Sequence, residues 1–285
     1  MPSQKQVWNS IAPEKKSEQE IIDEIEKLLI NSTKKTPPEN FGVLLSGGLD
    51  SSLLTLLLKK LNRKFVCYVV EFYHPNFKQA EDIKYAKSLA KELDVNLKIV
   101  KVSLEDAEKV LPDVINIIKR DEVPMVSIAL AVYFCMEQAQ KDGLKLMLYD
   151  CSLDCLFAGL QKHRLSEDVN KACVKSLEKT YKVDFPRDCA IAKNFGIKLE
   201  CPFLDNKLIS FALNLDPKYK IKKGIEKYIL RKTALKLGLK KEISFRKKRA
   251  IQYSSNSQKM IKKIAKQNEF KKIGDYIESL NKKEI

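Results

Sequence analysis

Phe41-Gly42-Val43-Leu44-Leu45-Ser46-Gly47-Gly48-Leu49-Asp50-Ser51-Ser52 reads as a buried strand, a tight turn and the opening of a helix. Phe41 to Leu45 is a short apolar run. Two glycines then allow the backbone to turn sharply and to approach a ligand without a β-carbon in the way. The apolar stretch from Ser52 to Leu61 continues as a helix. A small-residue loop between a strand and a helix presents helix-start N–H groups, which with the helix dipole suit an anion such as a phosphate.

Outward from this stretch the same alternation recurs. Lys64–Phe72 predicts a second buried strand, Gln79–Leu93 a helix with Ile83, Ala86, Leu89 and Ala90 on one face, and Asn96–Val102 a third strand. Helices follow through Lys119 and from Val126 to Lys141, and Leu144–Leu148 predicts a fourth strand. Strands alternating with helices of this length imply an α/β, doubly wound parallel sheet covered on both faces. Upstream, Ile21, Ile22, Ile25, Leu28 and Leu29 form one stripe of an amphipathic helix over residues 17–32, stopped by Pro37 and Pro38. Beyond Gly159 the strand signal fades and helical periodicity runs on. The expected organisation is therefore an N-terminal helix and linker (1–35), an α/β domain (36–160) and a helical C-terminal extension (161–285).

With 44% hydrophobic residues in 285, the chain can build a sizeable core. No apolar run reaches the length of a membrane span, and Met1 to Gln6 lacks the apolar stretch of a secretory signal, so a cytoplasmic protein with no membrane partner is expected. Seven scattered cysteines fit reduced, packed thiols, and two histidines without a Cys-x-x-Cys argue against structural zinc. The net charge of +16, densest from Lys218 to Arg249, admits an RNA partner but is equally the mark of lysine-solvated helix faces, which is the favoured reading.

Within the loop, Ser46 and Ser51 add hydroxyl donors, and Asp50 is out of place unless it faces a cation. Mg²⁺ bridging phosphates would supply one. The loop is neither the Gly-x-x-x-x-Gly-Lys-Ser/Thr type nor Gly-x-Gly-x-x-Gly. It resembles the Ser-Gly-Gly-x-Asp-Ser loop of the ATP pyrophosphatases, which cleave ATP between its α and β phosphates. That resemblance implies the adenine nucleotide alpha-hydrolase-like fold and ATP as substrate, held by Leu45, Ser46, Gly47, Gly48, Asp50, Ser51 and Val70.

Four segments direct the resemblance to one branch, the asparagine synthetase family. Leu144 to Gly159, with Asp150-Cys151-Ser152-Leu153-Asp154-Cys155, is similar to the family's strand followed by Gly-Glu-Gly-Ala-Asp-Glu-Leu-Phe-Gly-Gly. Pro202-Phe203-Leu204-Asp205 with the helix Leu208 to Leu213 resembles its Pro-Phe-Leu-Asp segment. Lys227-Tyr228-Ile229-Leu230-Arg231 resembles its Lys-Tyr-Leu-Leu-Arg helix, and Phe245 to Tyr253 its basic catalytic segment. The likeness is nearest to stand-alone archaeal synthetase-domain proteins and to the eukaryotic asparagine-synthetase-domain-containing protein. It implies that Asp50 and Asp154 hold Mg²⁺ on the triphosphate, that Lys248 stabilises the charge of departing pyrophosphate, and that Arg231 is a second cation near the site.

The chain departs from the family in two places. Only about forty residues precede the loop, too few for a glutaminase domain. Nitrogen would then come from free ammonia or a separate glutaminase partner. The two glutamates of the family's Gly-Glu-Gly-x-Asp-Glu are here Cys151 and Cys155. A thiol has the wrong pKa and shape for the first glutamate's handling of ammonia. The expected activity is thus adenylation of a small carboxylate, with aspartate the first candidate, ahead of amide formation. Two other classes stay open: a tRNA-modifying ATP pyrophosphatase with Cys151 and Cys155 sulfur-active, and a nucleotide-binding interaction protein without catalysis.

Overall fold

A computed structural model describes residues 16–281. At its centre five parallel strands stand in the order β3-β2-β1-β4-β5: β1 (Phe41–Leu44), β2 (Phe65–Phe72), β3 (Asn96–Val102), β4 (Leu146–Leu148) and β5 (Lys198–Glu200). The α/β class with a parallel, doubly wound sheet is the one expected. The longest register runs from Val66↔Asn96 to Phe72↔Val102, and β1 is flanked by β2 and β4 through Val43↔Cys67 and Val43↔Leu148. Since the chain winds first toward β3 and then returns to β4, the carboxyl ends of β1 and β4 form the switch point where α/β sheets place their ligands.

The helices are α1 (Glu18–Lys34), α2 (Leu49–Lys60), α3 (Glu81–Leu93), α4 (Leu104–Ile118), α5 (Val123–Lys141), α6 (Val169–Lys179), α7 (Phe185–Asn194), α8 (Asn206–Asn214), α9 (Tyr228–Lys236), α10 (Ser257–Gln267) and α11 (Ile273–Asn281), with one-turn pieces between them. Ser17 and Glu20 make a reciprocal capping box at the start of α1. Ile21, Ile25 and Leu29 are buried below it, and α1 runs to Lys34 instead of stopping at Ser32, with the Ser32 and Thr33 hydroxyls donating back to the Leu29 carbonyl. Burying one such side chain contributes roughly 1.5–3 kcal/mol, and α1 uses this stripe to pack on α2, α8 and α9.

One element departs from the sequence expectation. Lys198-Leu199-Glu200, inside the stretch expected to be helical, forms β5 and extends the sheet beside β4. Three residues with a single apolar member carry no periodicity that could announce a strand; pairing with β4 makes it one. The two apolar cores, one on each side of the sheet, also draw on both halves of the chain. Leu53, Leu57 and Phe157 share one with Phe203 and Ile229, and Phe72 and Met136 share the other with Ile261 and Ile277. Among the described residues, no helix is long and apolar enough to cross a membrane.

Candidate functional site

The loop after β1 turns at Gly47, whose φ of +65° lies in the left-handed region. A β-carbon there would come within 2.6 Å of Tyr85 Cβ and 2.7 Å of the Ala86 amide on α3. Gly48 then stands in extended conformation before α2, and no side chain caps the helix. Ser51 Oγ accepts from the Ser46 amide at 3.2 Å and lies 3.0 Å from Ser46 Oγ, while Ser46 Oγ accepts from the Gly48 amide at 3.3 Å. The serines therefore brace the turn while the uncapped start of α2 faces the cleft, an arrangement suited to a phosphate.

A cavity of about 480 Å³ opens between the loop and the carboxyl end of β4. Leu45, Ser46, Gly48, Asp50, Ser51 and Val70 line it, as do Asp154, Arg231 and Lys248. Of the expected nucleotide set, Gly47 alone is absent from the lining, because it makes the turn behind it.

Asp50 and Asp154 converge. Between them stands the ammonium of Lys227, 2.5 Å from Asp50 Oδ2 and 2.6 Å from Asp154 Oδ1, on a side chain only 4% exposed. Lys248 closes on the other oxygen of Asp154 from the cleft side. Two carboxylates thus share two lysines, which offsets the repulsion that their proximity would otherwise create. Lys227 reaches this place from a left-handed backbone (φ 54°) directly before α9. Gly159 makes room for it: a β-carbon there would collide with the Lys227 side chain and the Asp154 carboxylate. Lys227 was quoted in sequence only as part of a helix motif, and no local signal gives it this role.

Asp150, also unassigned from sequence, lies deeper. Its carboxylate accepts from the Ser152 amide at 3.1 Å, the Ser152 hydroxyl at 2.8 Å and the Leu153 amide at 3.2 Å, folding the turn that carries Asp154. Burial, with Asp50 nearby, pushes its pKa up to about 6.

Arg231 lines the cleft, but its donors go to backbone. Nε donates to the Glu226 carbonyl at 2.7 Å, and Nη1 to those of Ser244 at 2.7 Å and Arg246 at 3.0 Å. The guanidinium thus ties α9 to the basic segment. Arg246 performs a second latch missed in sequence. It donates to the Ser46 carbonyl at 3.3 Å and to Asp82 at 3.0 Å, with its guanidinium 4.1 Å from the centroid of the Tyr85 ring. Burial raises the pKa of Asp82 to about 6 against the pull of Arg246 and the Ser254 hydroxyl. Through these two arginines the segment bearing Lys248 is fastened over the loop.

Cys155 packs inward, its sulfur 3.3 Å from Thr180 Oγ1, and burial pushes its thiol up to about 11. Burial also raises Cys151 well above an ordinary thiol. Thiols held protonated are poor nucleophiles at neutral pH, which speaks against a sulfur-active pair.

Asp50 and Asp154 form an all-oxygen pair suited to a hard cation, and Asp50 Oδ1 is buried without a hydrogen-bond partner. Among the described residues no cluster of three or more His, Cys, Asp or Glu could hold a metal unaided. Two carboxylates with the remaining ligands taken from phosphates and water is the usual manner of Mg²⁺ on a nucleotide, and the residues present fit it.

The chain is 29% identical over 312 aligned positions to a putative glutamine-hydrolysing asparagine synthetase of Methanocaldococcus jannaschii, covering 94% of this chain and 56% of that protein. It is 28% identical over 260 positions to human glutamine-hydrolysing asparagine synthetase, covering 88% and 45%. It therefore spans about half the length of these curated relatives. Among solved structures, NMN synthetase from Francisella tularensis aligns over 93% of this chain and 87% of its own with a TM-score of 0.46 and 15% identity. The asparagine synthase family model matches residues 24–170 and 161–272, taking in the loop, the β4 turn and both latching arginines, and the chain belongs to that family.

Proposed function

We propose that this chain is an ATP-dependent ligase that adenylates the carboxylate of a small acceptor, aspartate or a related acid, before an amide or similar bond is made. The observation that carries this reading is the convergence of Asp50 and Asp154 with Lys227 and Lys248 over the uncapped start of α2. The loop would cradle the phosphates, with Leu45 and Val70 against the nucleoside. An acceptor carboxylate oxygen attacks the α-phosphorus, the bond from that phosphorus to the bridging oxygen breaks, and pyrophosphate leaves with the electron pair. Negative charge grows on the leaving group, and Lys248, Lys227 and the loop amides are placed to meet it. Mg²⁺ held by Asp50 and Asp154 would add charge neutralisation on the triphosphate. An amine nucleophile then displaces AMP from the acyl adenylate. Its source, free ammonia or a glutaminase, belongs to this proposal as well.

Arg231 acts in this reading as a positioning residue, since its donors hold the backbone that carries Lys248. The test is acceptor-dependent release of pyrophosphate from MgATP. Release that is the same with and without any carboxylate, or that survives Asp50→Ala, would overturn the assignment.

A further inference from the structure

Three of the four oxygens on Asp50 and Asp154 already face an ammonium. Lys227 takes Asp50 Oδ2 and Asp154 Oδ1, and Lys248 takes Asp154 Oδ2. Asp50 Oδ1 is left over, buried and without a hydrogen-bond partner. The fold builds this place for Lys227. Its backbone stands in the left-handed region, which a residue with a β-carbon adopts only under strain. Gly159 supplies the space, since a β-carbon there would meet Lys227 Cε and Asp154 Oδ1. The side chain is buried, so water does little to weaken the pairing.

Charge around the two aspartates is balanced. Two carboxylates meet two ammoniums, and the next groups out, Asp150 and Arg231, both within the field of Asp50, are opposite in sign. Arg246 and Arg249 are paired with Asp82 and Glu81, and Lys247 adds a positive charge to the cavity wall. A divalent cation entering alone would meet one available carboxylate oxygen and a surround that does not attract it, whereas a hard cation takes about six oxygen ligands. A triphosphate reverses both conditions. It brings negative charge and the missing oxygens, and it offers the Lys227 ammonium another anion within the same cavity.

We infer that Lys227 keeps the place of the divalent cation until a nucleotide comes. The ion does not bind to Asp50 and Asp154 by itself; it enters with the triphosphate, as the Lys227 ammonium leaves the two carboxylates for a phosphate. This rests on the reading of the two aspartates as the seat of Mg²⁺, and it makes that seat conditional on ATP.

The experiment titrates Mn²⁺ into the full chain and follows the water-proton relaxation rate, which rises when the ion is held by protein. The titration is run without nucleotide and again with α,β-methylene-ATP, which cannot release pyrophosphate. In the wild type, Mn²⁺ alone is expected to give no enhancement and Mn²⁺ with the analogue a clear one. Lys227→Gln keeps a polar side chain of similar length without its charge. It should bind Mn²⁺ alone at least about tenfold more tightly than the wild type, and adding Asp50→Asn should remove that gain. Wild-type binding of Mn²⁺ alone as tight as with the analogue, or within about threefold of Lys227→Gln, overturns the inference and leaves the metal seat standing. Should Lys227→Gln fail to fold, the two wild-type titrations decide alone. Enhancement absent in every titration overturns both the inference and the seat, while acceptor-dependent pyrophosphate release tests adenylation separately.

Discussion

The two ends of the cleft are made by different means. At the loop, backbone makes most of the cavity wall: a left-handed glycine behind it, an extended glycine and the open start of α2, braced by two serines. At the opposite end, side chains from two segments far apart in the chain, 149–152 and 184–188, line the cavity, and their charges are largely spent on one another. The loop end consequently depends on residues within a few positions of one another. The opposite end depends on residues brought together by the fold, since Asp188 meets Arg187 on its own helix and Tyr149 from the turn after β4. A part built from neighbours in the chain and a part built by the fold thus line one cavity.

The comparison breaks most readily at Asp50, at the loop end. Asp50→Ala should reduce acceptor-dependent pyrophosphate release by about a thousandfold or more, the magnitude typical of removing a main charge-organising group, as read in a coupled pyrophosphate assay. Lys227→Met leaves Asp50 and Asp154 facing each other without their shared ammonium, and kcat is expected to fall about a hundredfold. Its thermal unfolding should be followed too, because the buried carboxylates lose their partner. Gly159→Ala tests the same lysine sterically. A smaller loss, about tenfold, is expected as Lys227 is pushed from its place, with ATP affinity measured by titration calorimetry as the control.

Smaller effects are expected at buried groups that carry no paired charge. His163 is fully buried, its Nε2 2.7 Å from Ser176 Oγ, and burial among lysines lowers its pKa to about 4. The folded chain thus binds fewer protons than the unfolded one between its folded pKa and the ordinary histidine value. Stability is complete above about pH 6.5 and declines as pH falls toward 4, by up to roughly 3 kcal/mol. Thermal melts at pH 7 and pH 5 should show the loss, and His163→Gln should flatten it. The smallest effect is expected at Cys155→Ser, less than about threefold in turnover, because that sulfur packs against Thr180. A large loss there would restore a sulfur role.

How much of this was legible in the sequence follows from the same contrast. The strand–turn–helix at Ser46 to Ser51 was legible because its requirements are local: glycines where the backbone turns, hydroxyls at fixed offsets, an apolar strand before and an apolar helix after. Asp154 was named through its motif, and the fold places it beside Lys227 and Lys248. Lys227 and Asp150 were not, since their importance lies in what they face. A lysine before a helix is unremarkable until its left-handed backbone swings it between two carboxylates. Arg231 and Arg246 sat in recognisable basic segments, but only three-dimensional contact shows that they spend themselves on carbonyls and on Asp82. β5 was invisible for a related reason, being defined by its neighbour β4 and not by its own three residues.

The ammonium of Lys227 and the carboxylate of Asp50 are 177 positions apart in the chain. At a ribosomal pace of 5–20 residues per second, that separation amounts to roughly ten to thirty-five seconds of synthesis. During that interval the nascent chain has made its phosphate loop and then four of its strands, while Asp50 still lacks the cation that balances it. The sheet can therefore gather around β1 first, and the cluster of Asp50, Asp154 and Lys227 closes only after all five strands have been made.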